Sequence, residues 1–318
     1  MKIIRLIMIV LFISLLSADY AGGYPGSALR LGVSARDISL SGSMVSVYNQ
    51  GFSSFSNPAL ISKTNGIIIG SSLFSLVANN VNMQVFSIAR DLPPNAGAGL
   101  SVVHIGVPNI IGIDQNEQLT QNLSFHDSYV MMSFGVNFSK YLSIGVNTKA
   151  LFQRFSISDN ETLSSDGISF DIGLFSSPLK NLNIGIKVND ISGKYKWEES
   201  ENSIPAQFIS GVSYSPNESL LLSLQHELID INQEYLSHRS SFGAEYRIDR
   251  STPIFIRCGL KQTQWAIIND ELKDNLFKAT GGFGIEFESF NKSTVNLDYA
   301  IEFNQIGASN LISISAKL

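Results

Sequence analysis

The sequence predicts an all-β fold, a transmembrane antiparallel up-and-down β-barrel of about 14 strands with an N-terminal plug segment. Three observations favour this fold class. Apolar and polar residues alternate almost without interruption from Gly66 onward, the connections between these stretches are short and long in turn, and charged residues make up only 15% of the chain. Soluble domains usually carry roughly 25% charged residues, so the composition indicates contact with lipid. A mean hydropathy of +0.13 agrees with this.

The first residues have the pattern of an export signal. Lys2 and Arg5 supply positive charge, and the apolar run from Leu6 to Leu16 is too short to span a bilayer. We therefore interpret residues 1–18 as a signal peptide and expect the remainder of the chain to be exported.

Residues 19–65 differ in composition from the rest of the chain. They are rich in Gly and Ser and lack sustained alternation, so short helical turns and loops are expected rather than strands. We interpret residues 19–65 as a plug, or hatch, segment and residues 66–318 as an outer-membrane β-barrel.

The candidate strands have the length that a tilted membrane strand requires, about 9–11 residues or slightly more. They lie near residues 66–78, 80–90, 96–106, 126–138, 142–155, 166–177, 181–190, 204–215, 218–229, 238–248, 253–262, 275–287, 292–303 and 309–318. Long outer loops are expected at residues 107–125, 156–166, 192–203 and 263–274. Alternation of short turns with long loops is typical of an up-and-down barrel.

The stretch KSTVNLDYAIEF, residues 292–303, shows how the strand faces differ. Val295 and Leu297 lie on one face, and Asn296 and Asp298 lie on the other. In a soluble sheet the apolar face would cover a core, whereas in an outer-membrane barrel it would face lipid. The alternation alone leaves both arrangements open, and a β-sandwich remains the alternative fold.

Charged residues of both signs occur on the polar face of the candidate strands. A charge on the lipid face near the bilayer midplane costs about 2–4 kcal/mol, so their absence from the apolar face favours a polar face turned toward the lumen. The expected lumen-facing residues are Lys149, Asp171, Lys187, Glu245, Arg247, Arg257, Lys278, Glu286, Asp298 and Glu302.

Several functional classes find no support in the sequence. A net charge of −5 without a basic run gives no electrostatic footprint for a nucleic-acid partner. The single cysteine, Cys258, excludes an internal disulfide. The four histidines have no metal-ligand spacing, and His126, Asp127 and Ser128 alternate between strand faces, so they cannot form a triad by themselves. We predict no enzyme activity, no catalytic residues, no cofactor and no metal.

The N-terminal segment also carries a resemblance to a known family. Its motifs are LRLG at 29–32, SAR at 34–36, SG at 41–42 and NPAL at 57–60. In this order they resemble the N-terminal signature of the PorV/PorQ family of outer-membrane proteins, which are relatives of FadL-type barrels. Further family-like phrases extend the resemblance over nearly the whole chain after the predicted signal peptide.

The resemblance implies a fourteen-stranded barrel whose N-terminal segment folds into the lumen. It implies a non-enzymatic role in which the protein binds components of the type IX secretion machinery, or secreted cargo, and assists protein transport to the cell surface. A FadL-like channel for small hydrophobic molecules is the alternative, and a structural surface barrel is a further one. In each case the location is the bacterial outer membrane and the surrounding partner is lipid.

The segment contains candidate anchoring residues. Pro58 restricts Asn57 to an extended backbone, so Asn57, Pro58 and Ala59 are expected to form a rigid corner that seats the segment. Arg36 and Asp37, which precede Gly42, are expected to pair with charged residues of the barrel wall, because a buried arginine requires carboxylate or carbonyl partners. Contact with a ligand is the alternative role for these positions: Arg36, Asp37, Gly42, Asn57, Pro58 and Ala59.

Overall fold

The structure is a computed structural model that describes most of the chain. It covers residues 24–76, 81–113, 119–158, 161–230, 236–248, 253–262, 267–268, 271–272, 277–288, 293–304 and 307–318. The predicted signal peptide, residues 1–18, lies outside the described residues.

Within these ranges, 14 strands form a closed antiparallel barrel, and the predicted fold class is confirmed. The strands are β1 (Ile67–Leu76), β2 (Val81–Leu92), β3 (Ala96–Ile113), β4 (Leu119–Asn137), β5 (Leu142–Ser158), β6 (Glu161–Leu179), β7 (Leu182–Lys196), β8 (Glu201–Ser203), β9 (Gln207–Asn217), β10 (Leu220–Asp230), β11 (Leu236–Arg247), β12 (Ile254–Gln262), β13 (Ile267–Ile268), β14 (Glu271–Leu272), β15 (Phe277–Glu288), β16 (Thr294–Asn304) and β17 (Gly307–Lys317). The short strand β8 pairs only with the end of β7, and β13 and β14 pair only with each other.

The ring closes where the first and last strands pair. β1 and β17 run antiparallel, with Ile68 opposite Lys317 and Leu76 opposite Ser309. The backbone N–H of Leu318 donates to the carbonyl of Ile67 at 2.8 Å and extends this seam by one further bond. The barrel therefore has no unpaired long edge of the kind that templates aggregation.

The two faces of the strands differ as the alternation predicts. The outward face carries exposed apolar side chains such as Met132 (62% exposed) and Ile256 (53% exposed), and Cys258 is exposed on the same face of β12 as Ile256. The inward face carries buried serines and charged side chains, such as Ser169 and Asp171. Hydrocarbon is the environment that suits the outward face.

Four adjacent strands are longer than a membrane crossing requires. β3 to β6 contain 17 to 19 residues each, whereas β9 to β12 contain 9 to 12. Nineteen tilted residues rise about 45 Å, against an apolar band about 25 Å tall. We refer to the extensions of β3 to β6, together with the end of β7, as the raised wall.

The raised wall corrects the prediction of long loops. Much of 107–125, 156–166 and 192–203 is paired strand, with Val107 opposite Phe125 and Lys194 opposite Ser203. Beyond the bilayer both strand faces meet a polar environment, so pairing persists without the alternation that marks a membrane strand. In the remaining expected loop, 263–274, the described residues form the two short strands β13 and β14.

The described N-terminal segment, residues 24–65, contains helical turns and no strand. Two short α-helices, α1 (Ala35–Ser39) and α2 (Ser53–Ser56), lie between the 3₁₀ helices Ser27–Arg30 and Pro58–Lys63. Ser34 caps α1 by accepting a hydrogen bond from the backbone N–H of Asp37 at 3.2 Å. None of the helices in the described ranges has the length and apolar character that a membrane crossing requires.

The core of the molecule lies between this segment and the inward face of the barrel. Buried side chains of the segment include Leu40, Met44, Phe52 and Leu60. Helix α1 contacts β12, β15, β16 and β17, and the 3₁₀ helix Pro58–Lys63 contacts β2 to β6.

Candidate functional site in the barrel lumen

Glycines on the inward face create the space that the N-terminal segment occupies. At eleven of these glycines, an added β-carbon would come within 3.0 Å of an atom of the segment. They are Gly70, Gly97, Gly99, Gly135, Gly145, Gly173, Gly185, Gly211, Gly243, Gly259 and Gly282. Several are cross-strand neighbours, so that Gly97, Gly135, Gly145 and Gly173 form a continuous row over β3 to β6. Any larger residue in this row would displace the segment from the wall.

Asn57 and Pro58 sit directly on this glycine row. Asn57 is fully buried, and its Nδ2 donates to the carbonyls of Val45 (3.0 Å) and Leu174 (2.9 Å). Its Oδ1 accepts from the backbone N–H of Ala59 at 3.0 Å, which caps the 3₁₀ helix that Pro58 begins. The backbone of Asn57 is extended, as expected for the residue before a proline. These bonds connect two parts of the segment to β6.

Arg36 links helix α1 to the wall. Its guanidinium donates two hydrogen bonds to Glu245, both of 2.8 Å, and a third to the carbonyl of Tyr48 at 2.8 Å. Glu245 also accepts from Arg257 at 2.6 Å, and Arg257 donates in turn to Asp298 at 2.6 Å. The four charges alternate in sign across α1, β11, β12 and β16, so each one is compensated by a neighbour.

A second charged network occupies the inward faces of β5, β6 and β7. Lys149 Nζ lies 2.8 Å from Asp171 Oδ1 and 2.9 Å from Asp190 Oδ1. Lys187 Nζ donates to the carbonyl of Phe55 at 2.6 Å and lies 3.8 Å from Asp171. Lys149, Asp171 and Asp190 are all buried, so their charges are stable only as a paired set.

Backbone irregularity in β7 positions one member of this network. Asp190 and Ser192 have φ angles of 59° and 53°, which non-glycine residues seldom adopt, and the pairing of β6 with β7 shifts at this height. Arg30 of the N-terminal segment lies 3.8 Å from Asp190 and donates to the carbonyl of Pro205. The bulge thus presents a carboxylate to both the wall and the segment.

Polar side chains of β9 to β12 complete the charged lining. Glu227 accepts hydrogen bonds from Arg239, from Gln207 at 2.8 Å and from Gln225 at 2.9 Å. Gln225 Oε1 accepts in turn from the backbone N–H of Val45 at 2.9 Å, which ties the segment to β10.

A cavity of about 110 Å³ remains between the segment and the wall. Its apolar lining includes Leu29, Leu31, Val33, Ile38, Met44, Val45, Phe55, Tyr129, Met131 and Ile209, and its charged lining includes Arg30, Asp37, Lys149, Asp171, Lys187, Glu227, Arg239, Lys261 and Glu302. The cavity therefore offers both apolar contact and charged groups to anything that enters it.

Asp37 is the segment carboxylate that lines the cavity. Burial raises its pKa to about 6, although the positive charge of Lys261 and a hydrogen bond from the backbone N–H of Val33 act in the opposite direction. Asp37 therefore changes charge at a higher pH than an ordinary exposed aspartate does.

The remaining predicted positions are distributed around the lumen. Gly42 has a φ of 79° and follows α1, so it makes the turn that brings Ser43 against β10. The residues Arg247, Lys278, Glu286 and Glu302 are partly buried and fall on the inward-facing register of their strands. Glu302 Oε2 lies 3.6 Å from Lys261 Nζ.

Two important features were not predicted from the sequence. Arg30 was part of a family-like motif but received no role, and Asp190 was placed at a strand end. The glycines and serines on the polar face of the candidate strands indicate a face crowded by other protein, but their continuous row over β3 to β6 follows only from the strand register.

The sequence neighbours His126, Asp127 and Ser128 point to different sides of the wall. Asp127 is buried on the inward face, where it accepts from Gln153 at 2.9 Å and from Tyr195 at 3.3 Å. Among the described residues, no group of three or more His, Cys, Asp or Glu side chains is placed to hold a metal ion.

The closed ring, its apolar outer face and its charged interior define the class of transmembrane β-barrels. Solved structures with this fold include a Pseudomonas aeruginosa FadL homologue, with a TM-score of 0.65 and 10% identity over 89% of this chain and 97% of that one. The CymD monoaromatic hydrocarbon channel has a TM-score of 0.62 and 15% identity over 90% of this chain and 96% of that one. The Pseudomonas putida toluene transporter TodX has a TM-score of 0.62 and 13% identity over the same shares.

At these identities the likeness establishes the fold. No family model matches the chain, and no curated protein matches its sequence.

Proposed function

We propose that the protein is an outer-membrane channel of FadL-like type that admits small hydrophobic molecules. Residues 1–18 direct export in this proposal, residues 19–65 form the plug, and residues 66–318 form the barrel. The observation that carries the proposal is the cavity of about 110 Å³ between the N-terminal segment and the wall. A fold shared over most of the chain with a toluene transporter and a monoaromatic hydrocarbon channel supports the same substrate class.

The cavity lining refines the expected substrate. Apolar side chains such as Leu29, Met44 and Phe55 contact the same space as Arg30 and Arg239. A purely apolar molecule would desolvate the charged groups without replacing their hydrogen bonds, whereas a molecule with one polar end would replace some of them. We expect hydrophobic molecules that carry a polar group to be preferred.

A cavity of about 110 Å³ is too small to form an open path through the barrel, so passage of such a molecule requires the plug to move. Besides its apolar packing, the segment is attached to the wall by hydrogen bonds and ion pairs, which can exchange partners with a ligand or water. Contacts of this kind include the 2.8 Å hydrogen bond between the hydroxyls of Ser41 and Thr280.

The test replaces this contact with a disulfide that can be formed and reduced. In a Cys258→Ser background, the pair Ser41→Cys and Thr280→Cys places two thiols where the hydroxyls now meet. A toluene-like probe, or a probe with a carboxylate end, is added outside vesicles that contain the protein. Uptake of the probe into the vesicles is measured before and after oxidation. We expect protein-dependent uptake that oxidation suppresses and a reductant restores.

The Cys258→Ser protein and each single cysteine variant are the controls, since none can form the bridge. Uptake no greater than that of empty vesicles would refute the channel. Uptake by the oxidised protein equal to that of the reduced protein would show that the plug does not gate entry.

A secretion-associated role, in which the protein binds secretion components or exported cargo, is the second candidate. The raised wall favours it, because paired strands that extend beyond the apolar band offer a rigid surface for another protein. Ile111 and Leu163 are exposed on this wall at 65% and 47%. Co-purification of secreted proteins with the intact chain, and its loss on Ile111→Asp, would support this role. A pull-down that contains neither cargo nor secretion components would count against it.

A further inference from the structure

The outer face of the barrel carries an unexplained polar cluster near the base of the raised wall. His104 on β3 lies opposite Ser128 on β4, and His104 Nδ1 makes a 2.8 Å hydrogen bond with Ser128 Oγ. The ring of His126 stacks on that of His104, with centroids 5.4 Å apart. Arg154 on β5 lies directly opposite His126. We call these four residues the outer-wall site.

The two imidazoles converge over a glycine. His126 Nδ1 and His104 Nε2 lie 3.4 and 3.7 Å from the position that a β-carbon on Gly106 would take. His126 Nδ1 is buried and has no hydrogen-bond partner among the described residues. Because Nδ1 of His126 faces Gly106 and Nδ1 of His104 is bonded to Ser128, Nε2 is the ring nitrogen of each histidine that is left for a ligand.

Arg154 makes no ion pair or hydrogen bond within the described part of the chain. It borders a cavity of about 530 Å³ on the same stretch of wall. The lining residues are His104, His126, Ser128, Phe152, Gln153, Arg154, Ser156, Ser164, Ser165 and Asp166. Hydroxyls, imidazoles and a guanidinium together are hydrogen-bond donors suited to phosphate oxygens.

The height of the site identifies the source of the phosphate. Below it on the outward face lie exposed apolar residues, including Val102 (42%), Met132 (62%) and Ile168 (49%). The site is therefore at the upper border of the apolar band, where lipid headgroups lie. The carboxylate of Asp166 also borders this cavity, and Lys196 lies directly opposite it in the register of β6 and β7.

We propose that the outer-wall site binds the phosphate of a phosphorylated glycolipid in the outer leaflet. The guanidinium of Arg154 supplies the charge, and His126 and His104 supply directional hydrogen bonds. Bound lipid anchors the β3–β6 side of the barrel at a fixed depth and beneath the raised wall. This proposal rests on the barrel crossing a membrane and is independent of what passes through its lumen.

The chain provides a matched control on another part of the wall. His226 on β10 lies opposite Ser240 on β11, their Nδ1 and Oγ are 2.9 Å apart, and His238 lies beside His226 with ring centroids 5.8 Å apart. Described cross-strand neighbours on this face include Ser210 and Gln262, and neither is cationic. The second cluster repeats the histidines and serine without the arginine.

The experiment measures lipid retention by native mass spectrometry of the intact detergent-purified protein. The probes are lipid A, which carries phosphates on a glucosamine disaccharide, dephosphorylated lipid A and inorganic phosphate. The variants are Arg154→Gln with His126→Gln, Arg154→Lys alone, and the control His226→Gln with His238→Gln. Heat-modifiable gel migration verifies that each barrel is folded.

We expect the Arg154→Gln, His126→Gln protein to bind lipid A about tenfold more weakly than the wild type, Arg154→Lys to lose less, and the control to bind normally. Dephosphorylated lipid A should bind as weakly to the wild type as lipid A binds to the double variant. Equal retention by all variants would overturn the proposal. Displacement of lipid A by inorganic phosphate at equal concentration would overturn it as well, because the site would then recognise a free anion.

Discussion

Arg36 and Glu245 form a two-bond ion pair, with both N–O distances 2.8 Å, between a helix of the N-terminal segment and strand β11. The residues are separated by 209 positions in the sequence. Because Arg257 contacts the same carboxylate at 2.6 Å, Glu245 is the centre of the network and Arg36 is its contribution from the segment.

Loss of Glu245 should therefore cost more than loss of Arg36. Glu245→Ala leaves two arginines without their shared carboxylate, whereas Arg36→Ala leaves Glu245 paired with Arg257. We expect destabilisation of about 3–5 kcal/mol for Glu245→Ala and less for Arg36→Ala. Urea unfolding of the refolded barrel, with the double variant to complete a mutant cycle, measures both values and their coupling. A coupling energy near zero would contradict a direct role for the pair.

Gly173 should tolerate no larger residue. A β-carbon there would lie 2.0 Å from Asn57 Oδ1 and 2.8 Å from Pro58 Cδ. Since hydrogen bonds hold Asn57 in place, Gly173→Ala must push the segment away from the wall, and we expect a loss of about 1–3 kcal/mol with faster proteolysis of the segment. Gly281→Ala is the control, because its nearest neighbour would be 3.9 Å away. Equal behaviour of the two variants would exclude this packing role.

Lys149→Met should disrupt the network on β5 to β7. The substitution keeps the length of the side chain but leaves the buried carboxylates of Asp171 and Asp190 without their nearest cation. We expect destabilisation of about 3–5 kcal/mol by chemical unfolding. The matched change Lys194→Met affects a pair with Glu201 in which both side chains are about half exposed, and it should cost less than about 1 kcal/mol. Similar costs at both sites would contradict burial as the cause.

The raised pKa of Asp37 predicts that the stability of the folded protein, with its segment attached, depends on pH. Its pKa is raised from 3.8 to about 6, so between these values the folded protein binds more protons than the unfolded chain. The contribution of Asp37 to the free energy of unfolding is most favourable below pH 3.8. It is lost as the pH rises through 6 and is unfavourable above that pH. Asp37→Asn should therefore be more stable than the wild type at about pH 8 and equal to it near pH 4.

Unfolding of the two proteins across this pH range tests the prediction, because every other titrating group is common to both. A stability difference that does not change with pH would show that the Asp37 carboxyl does not titrate in this window.

The sequence predicted the features that local environment determines. The side chains of β16 alternate because one face meets lipid and the other meets the lumen. Residues 292–303 alone predict the two unlike faces, and the composition and the turns of the rest of the chain predict which face meets lipid. The tight turns could also be located, since Pro, Asn and Asp concentrate there.

Features that depend on distant partners were not predictable in the same way. Strands β3 and β4 continue to Ile113 and from Leu119 because they pair with each other above the bilayer, where no alternation is needed. The contact between Arg30 and Asp190 depends on a bulge in which Asp190 has a φ of 59°. An aspartate at one position of a strand does not predict such a bulge. The four histidines show their pairing only when the strand register is known, because each pair spans two strands.

The seam between β1 and β17 also constrains how the molecule is made. β1 begins directly after the N-terminal segment, yet its partner is β17, so the ring stays open until β17 has joined the sheet. The pairing of these two strands is therefore the step that joins the two ends of the sheet, and a variant that weakens it should leave an open sheet with two unpaired edges.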